Sequence, residues 1–383
     1  MEEIPFSRPF LAGTEVEYVR RAAEAGLSSG GEFTERCERW LEQRTGAGRA
    51  LLSHSGTGAL EAAMILAGLG PGDEAIMPSF AYPTMATAVV RQGAVPVFVD
   101  IDGRTLNVDA ERVREALGPR TKAIVAVHYG GVGCDMVALA EIAESAGVLL
   151  VEDAAHCLLA SCGGRALGGI GDLGTFSFHH TKNVTCGEGG ALLVNRPELR
   201  ERAEIVWEKG TDRKRFQRGE IERYTWVDVG SSFAASEITA AFLWGQLEIA
   251  EAVTARRRAI WDRYHEAFAG LEADGLLRRP TVPPGNVHNG HVYYLVLPTA
   301  AARDAFIEAL RENGIHSPFH YIPLHSSPAG SAFGRTEGSL RQTDDLSRRL
   351  VRLPLWAGLD DVAVDRVIDE SRAAVSRGSK SGV

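Results

Sequence analysis

Five lysines occur in this 383-residue chain, Lys122, Lys182, Lys209, Lys214 and Lys380, against 36 arginines. Arginine is the default surface cation here, so the place where a lysine is kept is informative. Lys182 closes an apolar, aromatic run, FSFHHTKN (176–183), and is followed by the glycine-rich GEGG (187–190). A lysine in such a setting has its pKa lowered, becomes a nucleophile, and can form a Schiff base with a carbonyl. A second chemical element is VEDAAH (151–156), where two acids end an apolar run. In an open α/β sheet the carboxyl ends of the strands line the ligand crevice. A carboxylate there stays ionised beside a cationic partner, which can be a protonated ring nitrogen or an arginine. His156 follows Asp153 by one helical turn and can face the same place. The third element is SHSGTG (53–58), a small turn between a strand and a helix. It presents backbone N–H groups and a positive helix end to an anion.

Each element has a plainer reading: a loop lysine, an arginine-paired acid, a tightly packed turn. Taken together they are an anion cradle, a buried carboxylate and a Schiff-base lysine, in that order, on three strand ends. Pyridoxal phosphate needs all three. Its phosphate suits the helix N-terminus, its pyridinium nitrogen the carboxylate, and its aldehyde the lysine.

The elements that must position these groups follow from the rhythm of the chain. Ala50–His54, Glu74–Pro78, Val95–Asp100, Thr121–His128 and Gly147–Asp153 are apolar, strand-like runs. Helical patterns over Thr57–Leu69, Pro83–Gln92, Glu111–Leu117 and Met136–Ala146 alternate with them. This predicts a buried, mostly parallel sheet. The strands Gly174–His179 and Gly190–Val194 are separated only by a loop, which predicts antiparallel pairing there. Residues 211–233 form a long polar and aromatic loop of the kind that is functional. Residues 236–270 are expected as one long helix. A smaller α/β unit follows, with strand His291–Leu297, helix Ala301–Asn313, strand Ile315–His320 and two late helices. The expected division is a large domain 1–250, a small C-terminal domain 251–375 and a disordered tail 376–383.

Composition narrows the class. The net charge is −9, so a basic nucleic-acid footprint is not expected. No apolar run approaches the roughly 18 residues of a membrane span. The segment MEEIPFSRPF (1–10) lacks an apolar signal-peptide core, which with the absence of CxxC pairs among five scattered cysteines predicts a cytoplasmic protein without a metal site or disulfide framework.

The chain resembles the sugar aminotransferases of the DegT/DnrJ/EryC1/StrS family, fold-type-I pyridoxal-phosphate enzymes. The likeness runs from Pro9-Phe10 to about residue 375. It is carried by GDEAIMPSFAYPT (72–84), AIVAVHYGGVGCDM (123–136), VEDAAH, GDLGTFSFHHTKN (171–183), CGEGGAL (186–192) and FHYIPLH (319–325). The segment EKGTDRKRFQRGEIERYTWVDVGSSF (208–233) is similar to the subgroup that aminates C4 of TDP-4-keto-6-deoxyglucose.

The resemblance implies that Lys182 carries the cofactor and moves the proton, with Asp153 as the pyridinium partner. It implies that His156 touches the cofactor ring and that Tyr82 stacks on it. The Thr57 and Gly58 amides and the Ser177 hydroxyl are implied phosphate contacts. Ser232 stands where many members have an asparagine that reaches the partner subunit's phosphate, and serine reaches less far. Relatives that dehydrate carry histidine at the lysine position, so lysine implies transamination. His320, Tyr321 and His325 suit sugar hydroxyls, and Arg213, Arg218 and Trp226 of the long loop suit a nucleotide diphosphate. A homodimer with shared sites is implied. The expected reaction takes an amino group from an amino acid, glutamate, to C4 of a TDP-4-keto-6-deoxy-hexose, with gluco or galacto outcome open. A C3-sugar or cyclitol aminotransferase of the same family, and a non-catalytic sensor keeping the fold, remain as alternatives. A nicotinamide dehydrogenase is excluded, because the first strand–helix turn lacks GxGxxG.

Overall fold

The computed structural model describes residues 2–26 and 29–380. Thirteen strands are present among them: β1 (Arg49–Ser53), β2 (Glu74–Pro78), β3 (Val95–Val99), β4 (Thr121–Val127), β5 (Leu149–Asp153), β6 (Ser161–Cys162), β7 (Arg165–Ala166), β8 (Leu173–Ser177), β9 (Gly190–Val194), β10 (Asn286–Val287), β11 (Tyr293–Val296), β12 (Arg335–Thr336) and β13 (Leu350–Leu353). Eight form one sheet in the order β1-β9-β8-β5-β4-β2-β3-β12. Every pairing is parallel except those of β9, which runs antiparallel to both β1 and β8. The expected antiparallel pair is therefore present, in register from Leu173↔Val194 to Ser177↔Gly190.

Strand alternation divides the core into two layers. Leu51, Val125, Val151 and Leu173 face the helix Gly56–Leu66, which is apolar almost all round and buried accordingly. Leu52, Phe176 and Leu193 face the opposite way, among residues of helices Glu32–Thr45 and Glu237–Glu248. Ile124, Ala126 and Leu150 share that second face with helix Met136–Ala146. The result is an α/β/α sandwich whose parallel strands all deliver their carboxyl ends to one edge.

The C-terminal unit has its own core around Trp261, Tyr264, Tyr293, Leu295 and Phe306, which Ile4 of the N-terminal segment joins. A further apolar cluster, containing Phe80, Tyr129, Tyr294 and Leu350, joins this unit to the large sheet. β12, which comes from the C-terminal third, adds to the edge of the large sheet at β3.

Three expectations are corrected. The helix expected over 236–270 is two helices, Glu237–Glu248 and Ala250–Ala267, broken at Ile249 (φ −107°, ψ 5°). They bury their apolar residues in different cores, and periodicity does not register such a change of direction. Ile315–His320 is not a strand: Ile315 makes one isolated bridge to Ile4, and Pro318 has no N–H for a ladder. The partner of β11 is instead β13. Residues 376–380 of the expected tail continue the helix Asp361–Lys380, while 381–383 lie outside the described residues. The long loop also contains a short helix, Arg213–Gln217.

Candidate active site

The anion cradle is the start of helix Gly56–Leu66. Ser55 caps it, its Oγ accepting the Gly58 N–H at 3.0 Å. The Gly58 amide expected for phosphate is thus engaged. The amides of Gly56 and Thr57, in the first helical turn, have no partner within the helix and point outward. Ser177, at the end of β8, abuts this turn. A Cβ on Gly56 would stand 2.8 Å from the Ser177 Cβ, and one on Gly190 would stand 2.5 Å from the Gly56 nitrogen. Only glycine lets three chain segments approach this closely.

β5 separates its two acids by alternation. Glu152 is fully buried on one face, where it accepts His128 Nε2–H at 2.9 Å and the amides of Gly168, Ile170 and Gly171 at 2.8, 2.6 and 2.6 Å. It is an anchor for that loop. Asp153 points to the cradle side and accepts the Ala155 N–H at 3.1 Å. Burial raises the proton affinity of Asp153, while the Ala155 amide and the charges of Lys182 and His128 oppose this. Burial likewise lowers the Lys182 pKa from 10.5 to about 8, with Asp153 pulling the other way and Arg352 adding to the shift. A carboxylate and an amine, both desolvated, thus share one pocket.

Imidazoles and phenols line the C-terminal side. The His156 ring stacks on His291 at 4.2 Å and lies 6.5 Å from His320. Burial, then the nearby cations Lys182 and Arg352, hold His156 far below its usual pKa, and His320 is lowered by the same causes. The His320 Nδ1 meets the Tyr129 hydroxyl at 2.8 Å, and its ring lies 3.6 Å from Tyr321. Tyr321 packs edge-on against Phe80, and Tyr82, at the open rim, lies 6.3 Å beyond it.

Residues 10–372 match the DegT/DnrJ/EryC1/StrS aminotransferase family. The chain belongs to this family. It is 33% identical to a spore coat polysaccharide biosynthesis protein, SpsC, of Bacillus subtilis, over 97% of each chain. It is 32% identical, again over 97% of each chain, to dTDP-4-dehydro-2,3,6-trideoxy-D-glucose 4-aminotransferase of Saccharopolyspora spinosa. Among solved structures, the aminotransferase TlmJ of Streptoalloteichus hindustanus is similar with a TM-score of 0.89 and 34% identity, over 98% of this chain and 99% of that one. The pyridoxal-phosphate form of a putative sugar aminotransferase, Spr1654, of Streptococcus pneumoniae has a TM-score of 0.90 and 26% identity, over 98% and 100%.

The protein is accordingly a pyridoxal-phosphate-dependent sugar aminotransferase of fold type I. The DegT/DnrJ site fits that cofactor on its own geometry. The Gly56 approach sets the first amides of the helix beside a hydroxyl for the phosphate, Asp153 makes no salt bridge among the described residues, and Lys182 has a proton affinity suited to carbonyl chemistry. No helix is long and apolar enough to cross a membrane, and no metal-holding cluster is present among the described residues.

Not every expected residue comes to this aminotransferase site. His325 is held by Ser79, whose hydroxyl lies 2.7 Å from its Nδ1, and its Nε2 stands 3.4 Å from Asp344. Both ring nitrogens are engaged within the protein. Arg218 pairs with Glu204 and Glu220 at 2.6 Å each, and Arg213 reaches Glu208 at 4.0 Å. Trp226 is 77% exposed and its Nε1 donates to the Asp228 carbonyl. The loop carrying these three is pinched at its base, where a Cβ on Gly230 would stand 2.2 Å from the Gly210 nitrogen. The Ser232 side chain is exposed, beside Phe233, whose carbonyl accepts the His54 N–H at 2.9 Å. Tyr129, Asn183, His291 and Arg352 were not expected. The first two lie inside AIVAVHYGGVGCDM and GDLGTFSFHHTKN, whereas His291 and Arg352 come from a distant part of the chain and carry no local signature.

Proposed function

We propose that this enzyme transfers the amino group of an amino acid, L-glutamate, to C4 of a TDP-4-keto-6-deoxy-D-hexose, giving TDP-4-amino-4,6-dideoxy-D-hexose. The observation that carries the transamination is Lys182, desolvated to a pKa of about 8 within the reach of Asp153's charge. Support for C4 comes from the full-length similarity to a 4-aminotransferase acting on a dTDP-4-keto sugar and from the segment 208–233.

When bound, pyridoxal phosphate supplies the electron sink for transamination. This chain's residues do the rest. The Gly56 and Thr57 amides and the Ser177 hydroxyl hold the phosphate. Asp153 keeps a proton on the ring nitrogen by charge pairing. Lys182 Nζ would be the base that takes the proton from the donor Cα and gives it back. His156, neutral and aromatic, would lie against the ring, with Tyr82 at the open rim. His320 and Tyr321 meet the hydroxyls of the sugar.

The working unit in this reading is a homodimer with shared sites. Phe216, Tyr224 and Trp226 are exposed on the long loop, and an apolar surface of that kind suits a second copy. Ser232, Arg213 and Arg218 then serve the partner's phosphate and nucleotide.

A single-turnover experiment tests this. The near-visible absorbance of the holoenzyme is followed with glutamate and then with TDP-4-keto-6-deoxyglucose, beside Lys182→Ala. Glutamate should bleach the band and the sugar restore it, with the variant doing neither. Bleaching without restoration would move the acceptor to a C3 sugar or a cyclitol.

A further inference from the structure

Asn183 is the residue after Lys182 and is buried. Its Oδ1 lies 2.8 Å from Nδ1 of His291, and its Nδ2 donates to the Asn289 carbonyl at 3.1 Å. Both partners belong to the stretch His288–His291, which leads into β11 of the C-terminal unit. Because Nδ2 is spent on a carbonyl, Oδ1 must accept, so the proton of the His291 ring lies on Nδ1.

The same stretch holds His156. Asn289 Nδ2 donates to the carbonyls of His156 and Leu158 at 2.8 and 2.9 Å. The His291 ring stacks on the His156 ring at 4.2 Å with 24° between planes. The stretch is itself pinned from behind: the Arg257 guanidinium donates to the Gly290 and His291 carbonyls at 3.1 and 2.7 Å. Gly290 has φ +63°, and a Cβ there would meet the Arg257 backbone at 2.8 Å.

We propose that His291 is a positioning residue: its hydrogen bond to Asn183 and its stack on His156 hold the Lys182 turn and the His156 ring in register, so that the C-terminal unit sets where Lys182 Nζ stands. This rests on the reading of Lys182 as the cofactor-carrying lysine. The turn 179–189 has no helix or strand; its own bonds, Lys182 N–H to the His179 carbonyl at 2.9 Å and Cys186 N–H to the Phe178 carbonyl at 3.0 Å, shape it, and Asn183 ties it to the C-terminal unit. The groups whose charge bears on His291 are His156, Lys182, Arg257 and His320. All are basic, and together with burial they keep the ring neutral, as a ring with a single donor in this place must be.

Three variants separate the two contacts. His291→Asn keeps a side-chain N–H near the Nδ1 position and loses the ring. His291→Phe keeps a ring to stack and loses the donor. His291→Ala loses both. The first readout needs no cofactor: the pH dependence of acylation at Lys182 in the full-length protein free of pyridoxal phosphate, followed by peptide mass spectrometry. The wild-type midpoint is expected near pH 8. His291→Phe and His291→Ala should raise it by about half a unit or more as the untethered turn gains water, and His291→Asn should return it toward wild type. In the holoenzyme, kcat should fall roughly 10- to 100-fold in His291→Phe with KM for the sugar nearly unchanged, and His291→Asn should recover most of it. An unchanged midpoint in all three variants, or a loss of thermal stability alone with no split between Phe and Asn, overturns the proposal. Failure of the wild-type protein to bind pyridoxal phosphate would instead overturn the functional reading, while the acylation midpoints would still decide this one.

Discussion

The backbone of Gly56 passes so close to Ser177 that a Cβ on Gly56 would stand 2.8 Å from the Ser177 Cβ. This joins the helix that offers bare amides to the strand end that offers a hydroxyl. Neither element is a phosphate site alone, and the distance between them makes one. Gly56→Ala is therefore expected to fold, because alanine favours a helical position, yet to push the two elements apart at a cost of about 1–3 kcal/mol. The affinity for pyridoxal phosphate should fall at least tenfold by equilibrium titration. An unchanged affinity would remove the cradle from the site.

The proton affinity of Lys182 is open to a direct pH test. Its pKa is lowered from 10.5 to about 8, chiefly by burial. At pH 7 roughly a tenth of such amines are neutral, against well under a thousandth for an ordinary lysine. The rate at which the cofactor-free protein captures pyridoxal phosphate should rise through a midpoint near pH 8 and then level. The folded state binds this proton less tightly than the unfolded chain, so the same protein should gain stability as pH rises from about 8 toward 10.5. A capture rate still climbing at pH 10 would contradict both.

Asp153 sets function against stability. Its folded-state proton affinity is raised, first by burial. A carboxyl of that kind contributes most when protonated, and its contribution is lost as pH rises through the folded value. Where it is ionised, burial costs stability that the Ala155 amide and the Lys182 charge offset only in part. Asp153→Asn without cofactor should therefore melt no lower than wild type. The holoenzyme should lose roughly 10²- to 10³-fold in kcat, as expected when one member of a buried ion pair is removed. A destabilised cofactor-free variant would mean that Asp153 already has a structural partner.

His325 distinguishes a structural from a sugar-binding histidine. Its Nδ1 meets the Ser79 hydroxyl at 2.7 Å, and that hydroxyl also accepts the His325 backbone N–H at 3.1 Å. His325→Ala should cost about 1–2 kcal/mol in denaturant unfolding through the lost bond. KM for the nucleotide sugar should stay within about twofold of wild type. A large rise in KM with unchanged stability would return His325 to the substrate.

The sequence by itself determined the sheet and the identity of its chemical groups. The strands β2 to β5, β8 and β9 are largely apolar runs whose alternation with helices admits few other architectures, whereas the edge strand β12, Arg335–Thr336, leaves no such signal. Lys182 stood out because the chain is poor in lysine, Asp153 because an acid ends an apolar strand, and Ser55–Gly58 because small residues open a helix. These signals are local, and local chemistry is written in local sequence.

Tertiary structure decided which of two adjacent acids faces the site. Strand parity sends Glu152 to the far face, where four N–H groups satisfy it, and Asp153 to the near one. It decided that the apolar run at 236–270 turns at Ile249, because the two halves bury in different cores. It brought His291 against Asn183 across 108 residues, and Arg352 to within electrostatic reach of Lys182. Such pairings have no spacing that periodicity can detect. They depend on how the C-terminal unit docks on the sheet edge, which the packing of Phe80, Tyr129, Tyr294 and Leu350 settles as a whole.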